Sequence, residues 1–187
     1  MVSDSSQNDF QVIKRVLNGS THSYSALVEK YQPRLQIFCA QMLSSKEAGR
    51  DASQETFIKA FQSLKTFRAD SSFAAWLFQI GRNHCIDLLR KNKRRPQSEY
   101  DEDRGYHHSN KTNFDSKIEA KDLTAKILRL LPEKYRELIL LKESQDLTYE
   151  EIAKITSSSL ESVKGRLKRA RIEVIKIMKD FELKDNI

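Results

Sequence analysis

Apolar residues recur at helical spacing along most of this chain, and one stretch sorts its faces by chemistry. From Phe73 to Arg95, at 100° per residue, Phe73, Leu77, Ile80, Gly81, Cys85 and Leu88 share an apolar arc. Gln79, Arg82, Asn83, Asp87, Arg90, Lys93 and Arg94 share the opposite stripe. Such a helix anchors one side in a core and turns an amide, guanidinium and ammonium groups outward. Trp76 and Ile86 fall on or beside the polar stripe, so the separation is imperfect. By periodicity alone the stretch is equally a surface helix with a solvated basic end.

The same spacing predicts helices on both sides of it. After a polar, frayed start from Met1 to Asn8, Phe10, Ile13 and Leu17 mark a short helix ended by Asn18-Gly19. Tyr24, Leu27, Val28, Tyr31, Leu35, Phe38 and Met42 form the seam of a longer one, which Pro33 either bends or restarts. In the next helix Phe57, Phe61 and Leu64 point inward, while Asp51, Gln54, Glu55, Ile58 and Gln62 share the outer face. An outward isoleucine among carboxylates and amides suits a polar protein interface. Asp51 and Glu55 stand one turn apart like an acid–base pair, but nothing completes a catalytic site. A loop from Thr66 to Ser72 leads into the two-faced helix.

A second group of helices follows. Ile118 to Leu131 reads as a helix through Leu123, Ile127 and Leu130, and Pro132 opens the next, to about Lys142. Thr148-Tyr-Glu-Glu151 fits a capping box ahead of Ile152, Ala153 and Ile155. Thr156 to Ser159 makes a short turn with Ser159 as N-cap. Leu160, Val163, Leu167, Ala170, Val174, Ile177 and Phe181 continue at alternating spacings of three and four. Capped helix, short turn and long basic helix spell a helix-turn-helix. A coiled-coil seam competes for that last run, but the seam is short and starts directly after a capped helix and turn.

Between the groups, Pro96 to Ser116 contains no Ile, Leu, Val or Met and carries Glu99, Asp101, Glu102 and Asp103. It cannot bury enough apolar surface to fold alone, and a flexible chain of that length spans roughly 25 Å. With 187 residues, five Gly and three Pro, the expected fold is all-α. Two small helical domains, residues 6–95 and 117–183, are joined by a flexible linker over 96–116.

Charge sharpens the picture. The chain carries +7, and Arg82 to Arg95 holds six basic residues against one acidic, Leu160 to Lys179 seven against two. Two concentrated basic segments far apart in sequence predict two contacts on one polyanion. In the second, Ser162, Lys164, Gly165, Arg166, Lys168, Arg169 and Arg171 face outward; Arg and Lys read guanine edges or hold phosphates, and Gly165 lets the backbone come close. A membrane surface would draw the same charge, but no lipidation motif, signal peptide or long apolar run accompanies it, so a cytoplasmic protein without membrane insertion is expected. Cys39 and Cys85 sit in apolar helical surroundings, as buried free thiols do. His22, His84, His107 and His108 lack metal-ligand spacing, and no phosphate loop or nucleophile motif occurs. No catalytic residue, metal or cofactor is expected.

With both basic helices placed, the sequence resembles a bacterial RNA polymerase sigma factor of the extracytoplasmic-function (ECF) group of the sigma-70 family. Asp51-Ala-Ser-Gln-Glu-Thr-Phe-Ile-Lys-Ala-Phe resembles the polymerase-binding segment, and Phe73-Ala-Ala-Trp-Leu-Phe-Gln-Ile-Gly-Arg-Asn with Asp87-Leu-Leu-Arg the segment that reads and opens the −10 element. Leu131-Pro-Glu-Lys-Tyr-Arg, Tyr149-Glu-Glu-Ile-Ala and Val163-Lys-Gly-Arg-Leu-Lys-Arg-Ala-Arg resemble the −35-binding domain. The resemblance implies region 2 and region 4 domains, and core polymerase (β and β′ subunits) and promoter DNA as partners. It implies an anti-sigma factor as a further one. It places Asp51, Gln54, Glu55 and Phe57 on the polymerase, and Phe67, Phe78, Arg82, Asn83, Arg90, Lys91, Arg94 and Arg95 on the −10 non-template strand. Ser162, Lys164, Gly165, Arg166, Lys168 and Arg169 fall to the −35 duplex. Gly81 stands where the family commonly has Ala, and Leu160-Glu161-Ser162 replaces a frequent Pro/Val-Gly-Thr. The implied function is promoter-directed initiation without catalysis; a stand-alone helix-turn-helix regulator is the alternative, which leaves the Asp51 to Phe61 face unused.

Overall fold

Every regular element among the described residues (4–68, 70–94, 116–144 and 147–185 of a computed structural model) is helical. A first bundle contains α1 (Asp4–Leu17), α2 (Tyr24–Leu43), α3 (Lys46–Gln62) and α4 (Phe73–Arg94). A second contains α5 (Ser116–Leu130), α6 (Glu133–Ile139), α7 (Tyr149–Ile155) and α8 (Leu160–Asp185). The expected linker lies outside the described residues except for Ser116, which opens α5. Arg95 lies outside them as well.

The helix ends follow local chemistry. The chain leaves α1 through Gly19, whose φ of +99° favours a residue without a Cβ. Ser44 closes α2 in the left-handed region, and Ser45 caps α3 by accepting the Ala48 N–H at 3.2 Å. Two connecting residues leave α2 and α3 no room to splay. A Cβ on Gly49 would lie only 2.3 Å from the Ala40 Cα, so the backbones touch there. Pro33 does not restart α2; the helix runs through it. In the second bundle the Thr148–Glu151 capping box forms in both directions, at 2.9 and 3.2 Å. A π-helical turn, Leu140–Ser144, continues α6.

The first core gathers Leu27, Leu35, Phe38 and Met42 of α2, Phe57 and Ala60 of α3, and Phe73, Leu77, Phe78 and Cys85 of α4. Cys39 and Cys85 are buried and free. Asp9 is also buried, accepting from Lys30 Nζ and the Tyr31 hydroxyl at 2.5 Å each. Burial and that carboxylate push the Tyr31 phenol well above the ordinary range. The second bundle adds Ile127, Leu128, Leu131, Leu138, Leu141, Ile152, Ile155, Val163, Leu167 and Ile177, which belong to the same buried cluster.

Several expected orientations are corrected. Residues 4–8 are helical rather than frayed, because α1 extends back to Asp4. Leu17 is exposed while Val16 is inside, and Phe61 sits at the rim with its ring against Tyr24. Leu123 and Leu130 face outward, and Leu128 and Leu131 take the inner positions. At Leu17, Phe61 and Leu130 the buried neighbour is one residue away, at Val16, Ala60 and Leu131.

Candidate nucleic-acid interface

Ser72 starts α4: its hydroxyl oxygen accepts the Ala75 N–H at 3.2 Å and its O–H donates to Glu151 of α7. A carboxylate from the second bundle thus sits at the positive end of the α4 dipole. Beside this start, Phe67 packs on Phe10, Phe73 and Trp76 with centroids 5.7, 5.8 and 5.3 Å apart. Phe67 and Trp76 remain half-exposed. Trp76, Ile80 and Asn83 follow at i, i+4 and i+7, so the indole and the exposed amide share one side of α4.

Phe78 does not belong to that surface. It is fully buried, edge-on to Phe38 at 5.4 Å, and this corrects the expectation that it stacks on a base. Trp76 supplies the half-exposed ring instead. Its misfit with the polar stripe was the signal that could have identified it.

The helix has three faces rather than two. Arg82, Ile86, Leu89 and Lys93 turn toward α6 and line, with Met42, Arg90, Glu133 and Glu137, a cleft of about 300 Å³ between the bundles. Arg82 grips Glu137 with two bonds, Nε to Oε2 at 2.9 Å and Nη2 to Oε1 at 3.3 Å, and its Nη1 donates to Asn83 Oδ1 at 3.2 Å. Lys93 Nζ reaches Glu133 Oε1 at 2.7 Å. Asn83, Asp87, Arg90 and Lys91 are exposed, and Arg94 ends the helix. Ile86 is therefore apolar for a reason that one helix cannot reveal: it floors a seam made by another domain.

On α3, Asp51, Gln54 and Ile58 are exposed and Glu55 half-exposed, with Lys59 Nζ 3.9 Å from Glu55. Phe57 is inside, its ring against Tyr24 and its carbonyl accepting the Tyr24 hydroxyl at 3.0 Å. It supports this face from beneath and is not part of its surface, a second correction. His84 of α4 braces the face: Lys59 Nζ donates to its Nδ1 at 2.8 Å. Burial, then the Lys59 charge, hold the His84 pKa below its ordinary value.

Ser159 caps α8, accepting the Ser162 N–H at 3.2 Å. Ser162, Lys164, Lys168 and Arg169 are exposed, and nothing lies within 4 Å of a Cβ built on Gly165. Arg166 is turned back, its Nη2 donating to Ser158 Oγ at 2.5 Å, so it fixes the turn. Arg171 pairs with Glu143 at 2.9 Å. Arg136, which spacing had not singled out, is buried between the bundles. Its guanidinium donates to the carbonyls of Arg129 (2.8 Å), Leu131 (3.2 Å) and Met42 (3.4 Å) and to Ser44 Oγ (3.2 Å).

Among the described residues no group of three His, Cys, Asp or Glu could hold a metal ion, and no helix is long and apolar enough to cross a membrane. The arrangement offers cations, an amide and flat rings, a set for nucleic acid rather than for bond chemistry.

Comparison with known proteins agrees. Residues 27–95 match the family model Sigma-70 region 2, and residues 122–174 match Sigma-70, region 4. The chain is 32% identical over 173 residues to the ECF RNA polymerase sigma-E factor of Salmonella typhimurium, covering 87% of this chain and 90% of that one. It is 29% identical over 182 residues to the RNA polymerase sigma-H factor of Pseudomonas aeruginosa, covering 92% and 94%. Among solved structures, CnrH in complex with the cytosolic domain of CnrY has the same fold, with a TM-score of 0.69 at 24% identity over 90% of this chain and 96% of that one. The sigma factor RpoE in complex with the anti-sigma factor NepR from Bartonella quintana gives 0.68 at 27% identity, covering 83% and 96%.

Proposed function

We propose how this chain, which belongs to the ECF group of the sigma-70 family and directs RNA polymerase to promoters, divides that work among its side chains. As a sigma factor it is a non-catalytic subunit that binds core polymerase and promoter DNA, the latter in part through the helix-turn-helix of region 4. A stand-alone helix-turn-helix regulator would account for residues 122–174 and leave the region 2 match over 27–95 without a purpose.

Region 2 occupies residues 6–95 in this reading, region 4 residues 117–183, and the tether 96–116 threads the polymerase. Asp51, Gln54, Glu55 and the exposed Ile58 dock on the β′ subunit, with Phe57 holding the helix beneath them. Ser162, Lys164, Gly165, Lys168 and Arg169 meet the −35 duplex in its major groove, where bidentate Arg or Lys contacts discriminate bases by about 1–3 kcal/mol each. Arg166 orders the turn that presents them.

At the −10 element Arg90, Lys91, Arg94 and Arg95 hold phosphates, and a base leaves the stack. Unstacking costs a few kcal/mol. Stacking on Phe67 and Trp76 returns about 1–3 kcal/mol per base, and the Asn83 amide bonds to the base edge. The observation that carries the reading is the exposed Asn83 on the same side of α4 as the half-exposed Trp76–Phe67 pair. An anti-sigma protein is the further partner, supported by the complex of the similar sigma factor RpoE with NepR. The place of work is the cytoplasm, where a polymerase subunit meets DNA.

Asn83→Ala should reduce open-complex formation, read by permanganate reactivity of unpaired thymines, and leave core-polymerase binding in a gel shift unchanged. Equal loss of both would refute the role.

A further inference from the structure

Glu161 stands in the first turn of α8, just beyond the Ser159 cap, and its side chain is 82% exposed. Between Leu160 and Ile172 it is the one acidic residue, against Lys164, Arg166, Lys168, Arg169 and Arg171. Glu161, Lys164, Gly165 and Lys168 follow at i, i+3, i+4 and i+7, so they share one side of the helix. Val163, Leu167 and Ala170 are buried on the opposite side. A carboxylate therefore sits in the middle of an outward cationic surface. Lys164 Nζ lies 3.1 Å from its Oε1, an exposed pair of the kind that water or DNA opens at little cost.

A carboxylate at this place opposes the phosphate backbone, where binding comes from cations. It does have a use at a base edge, which the N-terminal residues of a helix-turn-helix recognition helix contact. In the major groove guanine presents two acceptors, N7 and O6, and thymine an acceptor and a methyl group. Adenine sets the N7 acceptor beside its N6 donor, and cytosine presents the N4 amino donor. An acceptor-only side chain is thus repelled by guanine and thymine, compromised at adenine and satisfied at cytosine. Two neighbours make the approach feasible. Nothing lies within 4 Å of a Cβ built on Gly165, so the backbone can seat close to the groove. Lys164 offsets the carboxylate charge from the same side of the helix.

We propose that Glu161 is a specificity-determining residue of the −35 contact, its carboxylate accepting from the N4 amino group of a cytosine in the major groove. This role rests on the reading of α8 as the −35 helix, and adds to it a side chain that excludes the wrong bases rather than one that holds the duplex. An acid that served only the helix dipole and its Lys164 pair would lower affinity for every duplex alike.

The test uses core polymerase loaded with the full chain, wild type, Glu161→Ala or Glu161→Gln, and a library of double-stranded DNA randomised across the −35 element. Wild type should select a cytosine at one position, with replacement there weakening binding about fivefold or more, the lower end for one base contact. Glu161→Ala should lose the preference at that position alone and bind the remaining sequences at least as tightly, having shed a negative charge. Glu161→Gln should move the preference from cytosine to adenine, whose N6 and N7 an amide engages together. A shift from one base to another is a readout that a damaged helix would not give. If both variants bind every duplex more tightly with all preferences intact, Glu161 reads no base and the proposal is overturned. Wild type with no preference anywhere in the element, or Arg169→Ala with undiminished binding, would instead overturn the assignment of α8 to the −35 duplex, and the role of Glu161 with it.

Discussion

Gly49 and Gly165 make a matched pair, each a helix-interior glycine, with opposite expected responses to the same methyl group. On helix propensity alone, Gly→Ala stabilises by about 1 kcal/mol at either position. At Gly165 nothing lies within 4 Å of the new Cβ, so that gain stands. At Gly49 the Cβ would meet Ala40 Cα at 2.3 Å, N at 2.4 Å and Cβ at 2.6 Å. Carbon atoms rest about 3.5–4.0 Å apart, so α3 must retreat from α2 by more than about 1 Å at this crossing. No side chain can rotate away, because the obstacle is backbone. Overpacking a dense core costs about 1–3 kcal/mol, and a backbone obstacle puts Gly49→Ala at the upper end, leaving a net loss of about 2 kcal/mol. For a chain of this size melting as one unit, each kcal/mol moves Tm by about 2–4 °C, so Gly49→Ala should lower Tm by about 4–8 °C and Gly165→Ala raise it by about 2–4 °C. Thermal circular dichroism of the two variants measures both. Gly165→Ala should also weaken −35 duplex binding despite the added stability, since the methyl occupies the space that Gly165 leaves open. A Gly49→Ala protein that melts at or above wild type would refute the close-crossing argument.

Two further outcomes follow from single contacts. Arg169→Ala should weaken −35 duplex binding and, if it holds one phosphate, lower the salt slope of log K by about one, with core-polymerase affinity unchanged in a pull-down. The pKa of His84 is held below the ordinary value of 6.5 by burial and then Lys59, with Glu55 and Asp87 opposing and Lys91 assisting. The folded state then binds fewer protons than the unfolded one. Its contribution is therefore fully present above pH 6.5 and is lost as pH falls below that value toward the depressed folded pKa. His84→Gln should flatten the decline of Tm between neutral and mildly acidic pH; an unchanged slope would sink the argument.

What was legible in the sequence is what one helix decides for itself. The Thr148–Glu151 box, the Ser159 cap and the inward faces of α4 and α8 depend on neighbours three or four residues away, and each stands where the spacing put it. The misses depend on partners distant in sequence. Phe78 is core because Phe38 of α2 meets it. A Cβ on Gly81 would come within 2.9 Å of Leu35 Cδ1, the end of a side chain on α2, a contact that composition could not reveal. The largest omission was the seam. Glu137 is an ordinary acidic residue by spacing, yet it lies buried with Arg82 from a helix 55 positions earlier. A cation such as Arg82 cannot be counted as available from its identity alone, because its availability depends on which carboxylate the rest of the chain brings to it. The surroundings of Arg82 are thus set by the pair of bundles rather than by α4 alone.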